Sequence, residues 1–198
     1  MQYPSSIQNL VNYFSKLPTV GPKTAERYVF YLLQQHPEEL QKFAQAIAEL
    51  KEKITICEYC FSVAEKSPCE ICSDKKRDQN TICVVANTRD MISIESTGEF
   101  NGTYHVLGGL IDVINNRNPE ILNINQLIEK IKKNKTKEII LALSPSLEGE
   151  TTSMYLMKIL KPLNIKISRI AKGLPVGSDI EYADEHTLSN ALKYRINL

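Results

Sequence analysis

The sequence lacks an excess of charge of either sign. Its 24 lysines and arginines are balanced by 23 aspartates and glutamates, which gives a formal net charge of +1. This balance excludes a globally basic nucleic-acid coat, so any contact with DNA must be a local patch. No apolar run approaches the roughly 18 residues that a membrane span requires. Residues 1–6 have neither the basic start nor the apolar stretch of a secretory signal. We therefore expect a cytoplasmic protein with no membrane partner.

The chain also lacks a P-loop, an internal repeat and a low-complexity tract. Without the GxxxxGK[ST] cradle for phosphates, ATP hydrolysis has no support in the sequence. What is present is the composition of a globular protein, with 42% hydrophobic and 24% charged residues among 198. This length accommodates one ordinary domain or several small units.

Apolar spacing predicts three helices in the first third of the chain. The first helix follows Ser5 or Ser6, either of which can cap it. A turn containing Gly21 and Pro22 separates it from the second helix. Pro37 and the two glutamates after it suit the N-terminus of the third helix.

Four of the five cysteines lie within residues 55–78, a segment with few large apolar side chains. They form two Cys-x2-Cys pairs, namely Cys57 with Cys60 and Cys69 with Cys72. In a reducing cytosol such pairs favour metal binding over disulfides. Together they complete a closed tetrahedral shell suited to structural Zn²⁺, while redox pairs or unrelated thiols are the alternative. Cys83 falls outside this spacing, within an apolar strand, and is predicted to be a buried small hydrophobe.

From residue 79 onward, short apolar runs alternate with helical patterns. Strands are predicted over 82–85, 104–107, 138–143 and 165–170, and helices over 90–95, 124–133, 149–160 and 185–194. Such alternation is typical of βαβ units, in which helices cover both faces of a parallel sheet. The fold class is therefore α/β in several parts, with a helical N-terminal third.

Residues 17–27 join the first two predicted helices through a tight Gly/Pro turn. Such a turn exposes backbone amides at the N-terminus of the second helix, which is a ready phosphate site. Lys23 and Arg27 are four residues apart and share one face of that helix, where both could reach phosphates. The alternative is an ordinary helix–helix corner with two solvated cations.

The longest motifs of the chain follow one another in a distinctive order. The hairpin motif reads LPTVGPKTAERYVFYLL and precedes the four cysteines; after them come ICVVANTRDMISIESTGEFNGTYHVLGG, SPSLEGE and RIAKGLPVGSDIEYADEHTL. Over essentially the whole chain this set resembles the RecR family of bacterial recombination mediators. The resemblance implies four parts: a helix-hairpin-helix DNA-binding domain over 1–54, a four-cysteine zinc finger over 55–78, a Toprim-type parallel α/β domain over 79–172 and a C-terminal helical segment over 173–198.

The resemblance also implies a function. Members of this family are non-enzymatic proteins of recombinational DNA repair that bind double-stranded or gapped DNA and assemble as a homo-oligomeric ring. The chain would act with RecO and RecF to promote loading of RecA at gapped or single-stranded DNA.

Residue by residue, the resemblance assigns roles to eight positions. Lys23 and Arg27 correspond to the DNA-contacting cations, Cys57, Cys60, Cys69 and Cys72 to the zinc ligands, and Glu148 and Glu150 to candidates for partner contact or weak metal contact. Two positions depart from the family pattern. Thr19 stands where the family hairpin usually has glycine, and because threonine does not adopt a positive φ cheaply, a slightly different turn is implied. Residues 111–119 replace the family's usual Ser-Pro-Leu-Asp-Gly-type loop, which puts the contacts of that loop in question.

Catalytic Toprim proteins need a set of carboxylates that this chain has only in part. They place a glutamate after the first strand and an Asp-x-Asp near a later strand end, where the acids hold Mg²⁺ beside a phosphodiester. Here Ala86 follows the first strand, and the third strand ends in Ser-Pro-Ser. Asp90, Glu148 and Glu150 remain, but each lies near a helix start, where a carboxylate also favours the helix dipole. We expect no catalysis; a metal-dependent Toprim nuclease using these three acids and a zinc-dependent scaffold that binds only protein are the alternatives.

Two basic runs and one C-terminal stretch complete the candidates. Five lysines between residues 130 and 137 are predicted to form a solvated helix end. Residues 75–77, Lys-Lys-Arg, are also expected to be solvated, with DNA contact as the alternative. Residues 173–184 are expected to pack against a neighbouring domain or subunit.

Overall fold

The chain divides into two units, residues 1–54 and residues 55–198. The computed structural model describes residues 3–195, so the outermost residues of the predicted parts, 1–2 and 196–198, lie outside the described residues. The first unit is helical, as the apolar spacing predicts. Its helices are α1 (Ser5–Phe14), α2 (Pro22–Leu32) and α3 (Pro37–Glu49). Pro22 and Pro37 each stand in a first turn, where the missing N–H of proline costs no helical hydrogen bond.

Helices α1 and α2 pack on each other through a small apolar core. Val11 of α1 is buried there against Ala25 and Val29 of α2. Helix α3 has no fully buried side chain, and Phe43 and Ile47 on its apolar face are about half exposed. These two side chains line an apolar groove of about 460 Å³ together with residues of α1 and α2. The first unit therefore carries an apolar surface that its own helices do not cover.

The turn between α1 and α2 differs from the expectation. Thr19 has a φ of 66°, and the N–H of Val20 donates to the carbonyl of Leu17 across 3.1 Å. Proline at the second position of a turn, here Pro18, and a positive φ at the third are features of a type II β-turn. The expectation that threonine would avoid a positive φ was therefore wrong. The strain of such a φ in a residue with a Cβ costs about 1–2 kcal/mol.

The second unit begins with the cysteine-rich segment. It contains a short antiparallel pair of strands, β1 (Thr55–Ile56) and β2 (Val63–Ala64), and a one-turn helix, α4 (Glu70–Ser73). A segment with so little apolar surface of its own gains stability from a bound metal and from the neighbouring sheet.

A four-stranded parallel sheet forms the centre of the second unit, which confirms the predicted fold class. Its strands are β3 (Asp78–Val85), β4 (Gly102–Val106), β5 (Glu138–Ala142) and β6 (Lys166–Arg169). The strand order is β4-β3-β5-β6, so β4 and β6 are the edges. The helices are α5 (Thr88–Glu95), α6 (Ile124–Asn134), α7 (Leu147–Leu160) and α8 (Glu185–Lys193), with 3₁₀ turns at Pro119–Ile121, Lys161–Leu163 and Ile180–Tyr182.

Alternate residues of β3 belong to two separate cores, because successive side chains of a strand point to opposite faces. Val84 is buried in a cluster with Leu127 of α6 and Leu156 of α7. Cys83, buried as predicted, belongs to a second cluster with Met91 of α5. The sheet is thus covered on both sides. None of the helices between residues 3 and 195 combines the length and the apolar character needed to cross a membrane.

The divergent loop at residues 111–119 folds back on itself. The backbones of Asp112 and Arg117 exchange two hydrogen bonds, of 2.8 and 3.0 Å, and the side chain of Asn115 donates to the Asp112 carboxylate. Val113 and Ile114 are largely exposed at its tip. The loop therefore presents two apolar side chains to the surroundings.

Candidate nucleic-acid interface and metal centre

The N-terminal part of α2 presents the two predicted DNA-contacting cations. Lys23 and Arg27 are both exposed, and their spacing places them on one face of the helix. Within residues 3–195 neither forms an ion pair. No side chain caps this helix and no acidic residue lies in its first turn. The backbone N–H groups of Lys23 and Thr24 lie in the first turn, where an α-helix offers no internal acceptor. The positive end of the helix dipole, two free amides and two cations thus converge where a phosphate could bind.

The four predicted zinc ligands are gathered into one cluster. The Sγ atoms of Cys57, Cys60, Cys69 and Cys72 all lie within 4.8 Å of one another, and none of the four forms a disulfide. A tetrahedron with metal–sulfur bonds of about 2.3 Å has edges of about 3.8 Å. The 3.6 Å between the Sγ atoms of Cys60 and Cys69 is close to that edge. Four sulfur donors and a closed shell fit Zn²⁺ in a structural role.

Hydrogen bonds inside the cluster favour the thiolate of Cys60, whereas burial raises the pKa of the Cys69 thiol and hydrogen bonding to Cys60 raises the pKa of the Cys72 thiol. The backbone N–H of Cys69 donates to the Sγ of Cys57, and the Sγ of Cys60 lies 3.1 Å from the Oγ of Ser62. Hydrogen bonding from Cys72 lowers the pKa of the Cys60 thiol to about 5. Donors of this kind orient metal-binding thiolates and stabilise their charge.

The cysteine segment is docked along the outer edge of β4. The N–H of Val106 in β4 donates to the carbonyl of Cys60 across 2.7 Å. The ring of Phe61 packs edge-on against the ring of His105, with centroids 5.2 Å apart. Burial lowers the pKa of His105 to about 4, so this ring is neutral at pH 7, and its Nε2 lies 2.7 Å from the carbonyl oxygen of Asn123. The segment is therefore part of the second unit and covers an edge strand that would otherwise be open.

The prediction that the five lysines between residues 130 and 137 are solvated is wrong for Lys130. The run was expected to be a solvated helix end, and Lys132 and Lys133 are indeed exposed. The ammonium group of Lys130 instead donates to the carbonyl of Tyr59, between the first two cysteines, across 3.1 Å. It also donates to the carbonyl of Tyr104 in β4, across 2.9 Å. Burial lowers the pKa of Lys130, and the nearby thiols, Cys72 most of all, oppose that shift.

The carboxyl ends of the strands are used to cap helices. Ala86 follows β3 and is buried. The side chain of Asn87 accepts from the N–H of Asp90 and caps α5, and it also donates to the Asp90 carboxylate across 2.9 Å. After β5, the hydroxyl of Ser146 accepts from the N–H of Gly149 and caps α7. Of the positions that would carry metal-binding acids in a catalytic Toprim protein, Ala86 is therefore buried and carries no carboxylate, and Ser146 caps a helix.

Glu148 and Glu150 lie close together in the first turn of α7 but differ in their surroundings. Glu148 is partly buried and has no ion-pair partner among residues 3–195. Glu150 pairs with Arg169 at the end of β6 and, across 2.6 Å, with Lys172. Hydrogen bonds from these two cations, Arg169 first, lower the pKa of Glu150 to about 2. Glu150 is therefore an ionised carboxylate whose charge is already compensated.

The three acids of the nuclease hypothesis do not form a metal site. Among residues 3–195, the cysteine cluster is the sole group of three or more histidines, cysteines or acids with ligand atoms close enough to share a metal ion. Asp90 is bound to the side chain that caps α5, and Glu150 is held by Arg169 and Lys172. The residues that sequence reasoning missed are these two cations together with Lys130 and with Arg77, which was expected to be solvated but pairs with Glu95. Strand order and helix packing bring them to their partners, and no local spacing reveals them.

These parts define a zinc-containing Toprim protein with an N-terminal helix-hairpin-helix. Comparison with known proteins extends that description. Family models match consecutive stretches of the chain: the RecR helix-hairpin-helix over residues 7–51, the RecR zinc finger domain with four cysteines over 54–74, the Toprim domain over 80–171 and the RecR C-terminal region over 173–196.

Curated relatives match over the full length. A protein named recombination protein RecR from Bifidobacterium animalis subsp. lactis is 52% identical over 195 residues, which covers 98% of each chain. One of the same name from Staphylococcus aureus (strain MRSA252) is 46% identical over the whole of both chains. The chain belongs to the RecR family of recombination proteins, and its cofactor is structural zinc.

Proposed function

We propose that this protein is a DNA-binding recombination mediator that acts with RecO and RecF to promote RecA loading at gapped or single-stranded DNA. The observation that carries the proposal is the N-terminus of α2, which no side chain caps, together with Lys23 and Arg27, which form no ion pair within residues 3–195, in a chain of this family. A ligand held by main-chain amides and two cations is recognised by its phosphates and not by its bases. The proposed contact is therefore independent of sequence, as suits a protein that acts at gaps.

In this proposal the protein acts by binding DNA and other proteins, and it catalyses no reaction. Buried Ala86 and the capping residue Ser146 stand where a catalytic Toprim protein would hold acids. Glu150 is neutralised by Arg169 and Lys172. These features weigh against the metal-dependent nuclease. We propose Glu148, which has no ion-pair partner among residues 3–195, as the better candidate of the two acids for contact with a protein partner or for weak metal contact.

We further propose assembly as a homo-oligomeric ring in the cytoplasm. A closed ring in which each copy meets two neighbours needs two contact surfaces on every copy. The apolar groove beside Phe43 and Ile47 supplies one candidate within the first unit. In the second unit, Val176 and Tyr182 are almost fully exposed, which fits the expectation that residues 173–184 pack against a neighbouring subunit. A ring would let several weak hairpin contacts act together on one DNA. Light scattering on the purified protein measures this assembly directly.

The residue assignments and the division into parts complete the proposal. Cys57, Cys60, Cys69 and Cys72 are proposed as the zinc ligands, and 1–54, 55–78, 79–172 and 173–198 as the hairpin, zinc, Toprim and C-terminal parts. Zinc content measured on purified protein tests the first assignment, with one ion per chain expected. Fully folded protein that holds no zinc would contradict it.

The mediator and the nuclease are separated by one experiment. Zinc-replete protein is incubated with end-labelled gapped duplex and Mg²⁺, and the products are run on a native and on a denaturing gel. We expect a shifted complex with intact strands. Cleaved strands that disappear with Glu148→Gln or Glu150→Gln would replace the mediator with a metal-dependent nuclease.

The hairpin is tested by its salt dependence. Lys23→Ala and Arg27→Ala should each weaken binding to all duplex sequences and flatten the plot of log K against log salt. Each lost phosphate contact lowers the slope by about 0.9, multiplied by the number of hairpins engaged. Lys42→Ala removes the same charge from α3, where the lysine is already paired with Glu39, and should leave the slope unchanged. Binding by both hairpin variants that equals the wild type at every salt concentration would remove the hairpin from the DNA role.

A further inference from the structure

Lys130 occupies a position that the function described so far does not use. It belongs to α6, yet its ammonium group reaches the turn between Cys57 and Cys60 and donates to the carbonyl of Tyr59 there. Its second acceptor is the carbonyl of Tyr104 in the edge strand β4. The two bonds connect segments separated from Lys130 by 71 and 26 residues. One side chain therefore links a helix, a sheet edge and a metal-binding turn.

The cysteine cluster carries a negative charge when it binds zinc, and a nearby cation such as Lys130 can compensate that charge. Four thiolates around one Zn²⁺ carry a net charge of −2, because a thiolate and not a thiol is the ligand. Three of the four cysteines are buried, and an uncompensated charge in such surroundings is costly. The ammonium group of Lys130 lies 3.1 Å from the carbonyl oxygen of Tyr59, the residue before Cys60, and Lys130 lines the same groove as Cys72.

Other cations near the cluster are engaged elsewhere or remain in water. Arg77, which ends the neighbouring basic run, is bound to Glu95 and to the carbonyl of Gly102. Lys75 and Lys133 line the same groove as Cys72 and Lys130, but both side chains are exposed and are screened by solvent. Between residues 3 and 195, Lys130 is the cation that touches the backbone of the cysteine turn.

We propose that Lys130 is a positioning residue of the zinc centre, which fixes the first cysteine turn against β4 and compensates the negative charge of the tetrathiolate site. Zinc affinity is then set in part by a helix that lies about 60 residues beyond the last cysteine of the cluster in the sequence. The inference rests on the four cysteines being the zinc ligands, which the zinc content of the wild-type protein tests separately.

The test is zinc affinity, measured by competition with a chromogenic chelator on the full-length protein. Lys130→Met keeps the aliphatic stem and removes the charge and the donors. We expect its zinc dissociation constant to rise by about 10–100-fold, the usual effect of losing a partner outside the ligand shell. Lys130→Arg keeps a cation with several donors and should stay within about threefold of the wild type. Lys132→Met makes the same charge change on an exposed site of α6 and should have no effect.

Lys130→Gln separates the charge from the hydrogen bonds, since its amide can donate but carries no charge. Affinity between those of the Met variant and the wild type supports both roles. Wild-type affinity in Lys130→Gln would overturn the compensation of charge, and wild-type affinity in Lys130→Met would overturn the proposal as a whole. If Lys130→Met does not fold, as judged by circular dichroism, the comparison of Lys130→Arg with Lys130→Gln decides on the charge: equal affinities overturn the compensation of charge, and weaker binding by Gln supports it.

Discussion

Gly149 is the residue at which a single added methyl group should do the most damage to the Toprim part. It lies in the first turn of α7, between Glu148 and Glu150, and is buried. A Cβ at this position would lie 1.9 Å from the carbonyl oxygen of Ser144 and 3.0 Å from its carbonyl carbon. Both are backbone atoms of the loop after β5, so no side-chain rotation can relieve the contact. Gly149→Ala must therefore displace either the loop or the helix.

Two effects of this substitution oppose each other, and their sizes decide the outcome. Alanine favours a helix over glycine by about 1 kcal/mol. Forcing extra atoms into a packed site costs about 1–3 kcal/mol and occasionally more, and a contact of 1.9 Å to a backbone oxygen belongs at or above the upper end. We expect a net loss of about 2 kcal/mol in the free energy of unfolding. The loss should be accompanied by disturbance of the ion pairs that Glu150 makes with Arg169 and Lys172.

The assay is urea unfolding followed by far-ultraviolet circular dichroism, with zinc present throughout. Thr151→Ala is the matched control: it lies near the same helix end and is exposed, with its hydroxyl bonded to the Leu147 carbonyl. Its free energy of unfolding should change by no more than about 0.5 kcal/mol. If Gly149→Ala equals or exceeds the stability of the wild type, helix propensity has prevailed and the close approach of α7 to the β5 loop is refuted.

Two further predictions follow from the hairpin turn and from α7. Thr19→Gly should relieve about 1–2 kcal/mol of backbone strain, while the greater freedom of glycine in the unfolded chain costs about 0.5–1 kcal/mol. The substitution should therefore stabilise the first unit, and hydrogen exchange in α1 and α2 should slow. Thr19→Ala keeps a Cβ and should not slow this exchange. The pKa of Glu150 is about 2 in the folded chain against an ordinary 4.5, so its ion pairs stabilise the fold above pH 4.5 and are lost as the pH falls towards 2. The difference in unfolding free energy between the wild type and Glu150→Gln should therefore vanish near pH 2; a constant difference across this range would contradict the assigned ion pairs.

Local patterns in the sequence predict most of the architecture. The cysteine pairs identify a cluster because four ligands at close spacing can meet without any knowledge of the fold. The alternation of strands and helices predicts the parallel sheet because each pattern is read over a few residues. Element ends are less well predicted: β3 begins at Asp78 and not at Ile82, since its first residues are polar and pair through their backbones. Helix α7 begins at Leu147 because Ser146 supplies its cap.

Contacts between distant residues are what the sequence could not predict. Glu150 lies in a motif that also fits a metal site, and only the parallel register of β5 with β6 brings Arg169 to it. Lys130 belongs to a basic run in which Lys132 and Lys133 are solvated, and its burial depends on how α6 packs beside the cysteine segment. Thr19 shows the converse, because a turn of fixed geometry imposes a positive φ on a residue that disfavours it.

The position of the cysteine segment explains why a protein proposed to work by binding keeps a metal. Strand β4 is an edge of the sheet, and an open edge is a template for unwanted strand pairing. The N–H of Val106 is satisfied by the carbonyl of Cys60, and the carbonyl of Tyr104 by Lys130. The carbonyl of Cys60 belongs to the cysteine turn, and Lys130 is hydrogen-bonded to that turn through the carbonyl of Tyr59. Fixing the turn with zinc therefore also covers the edge of the sheet. Zinc thereby stabilises the second unit beyond its own short segment, which has too little apolar surface to fold alone.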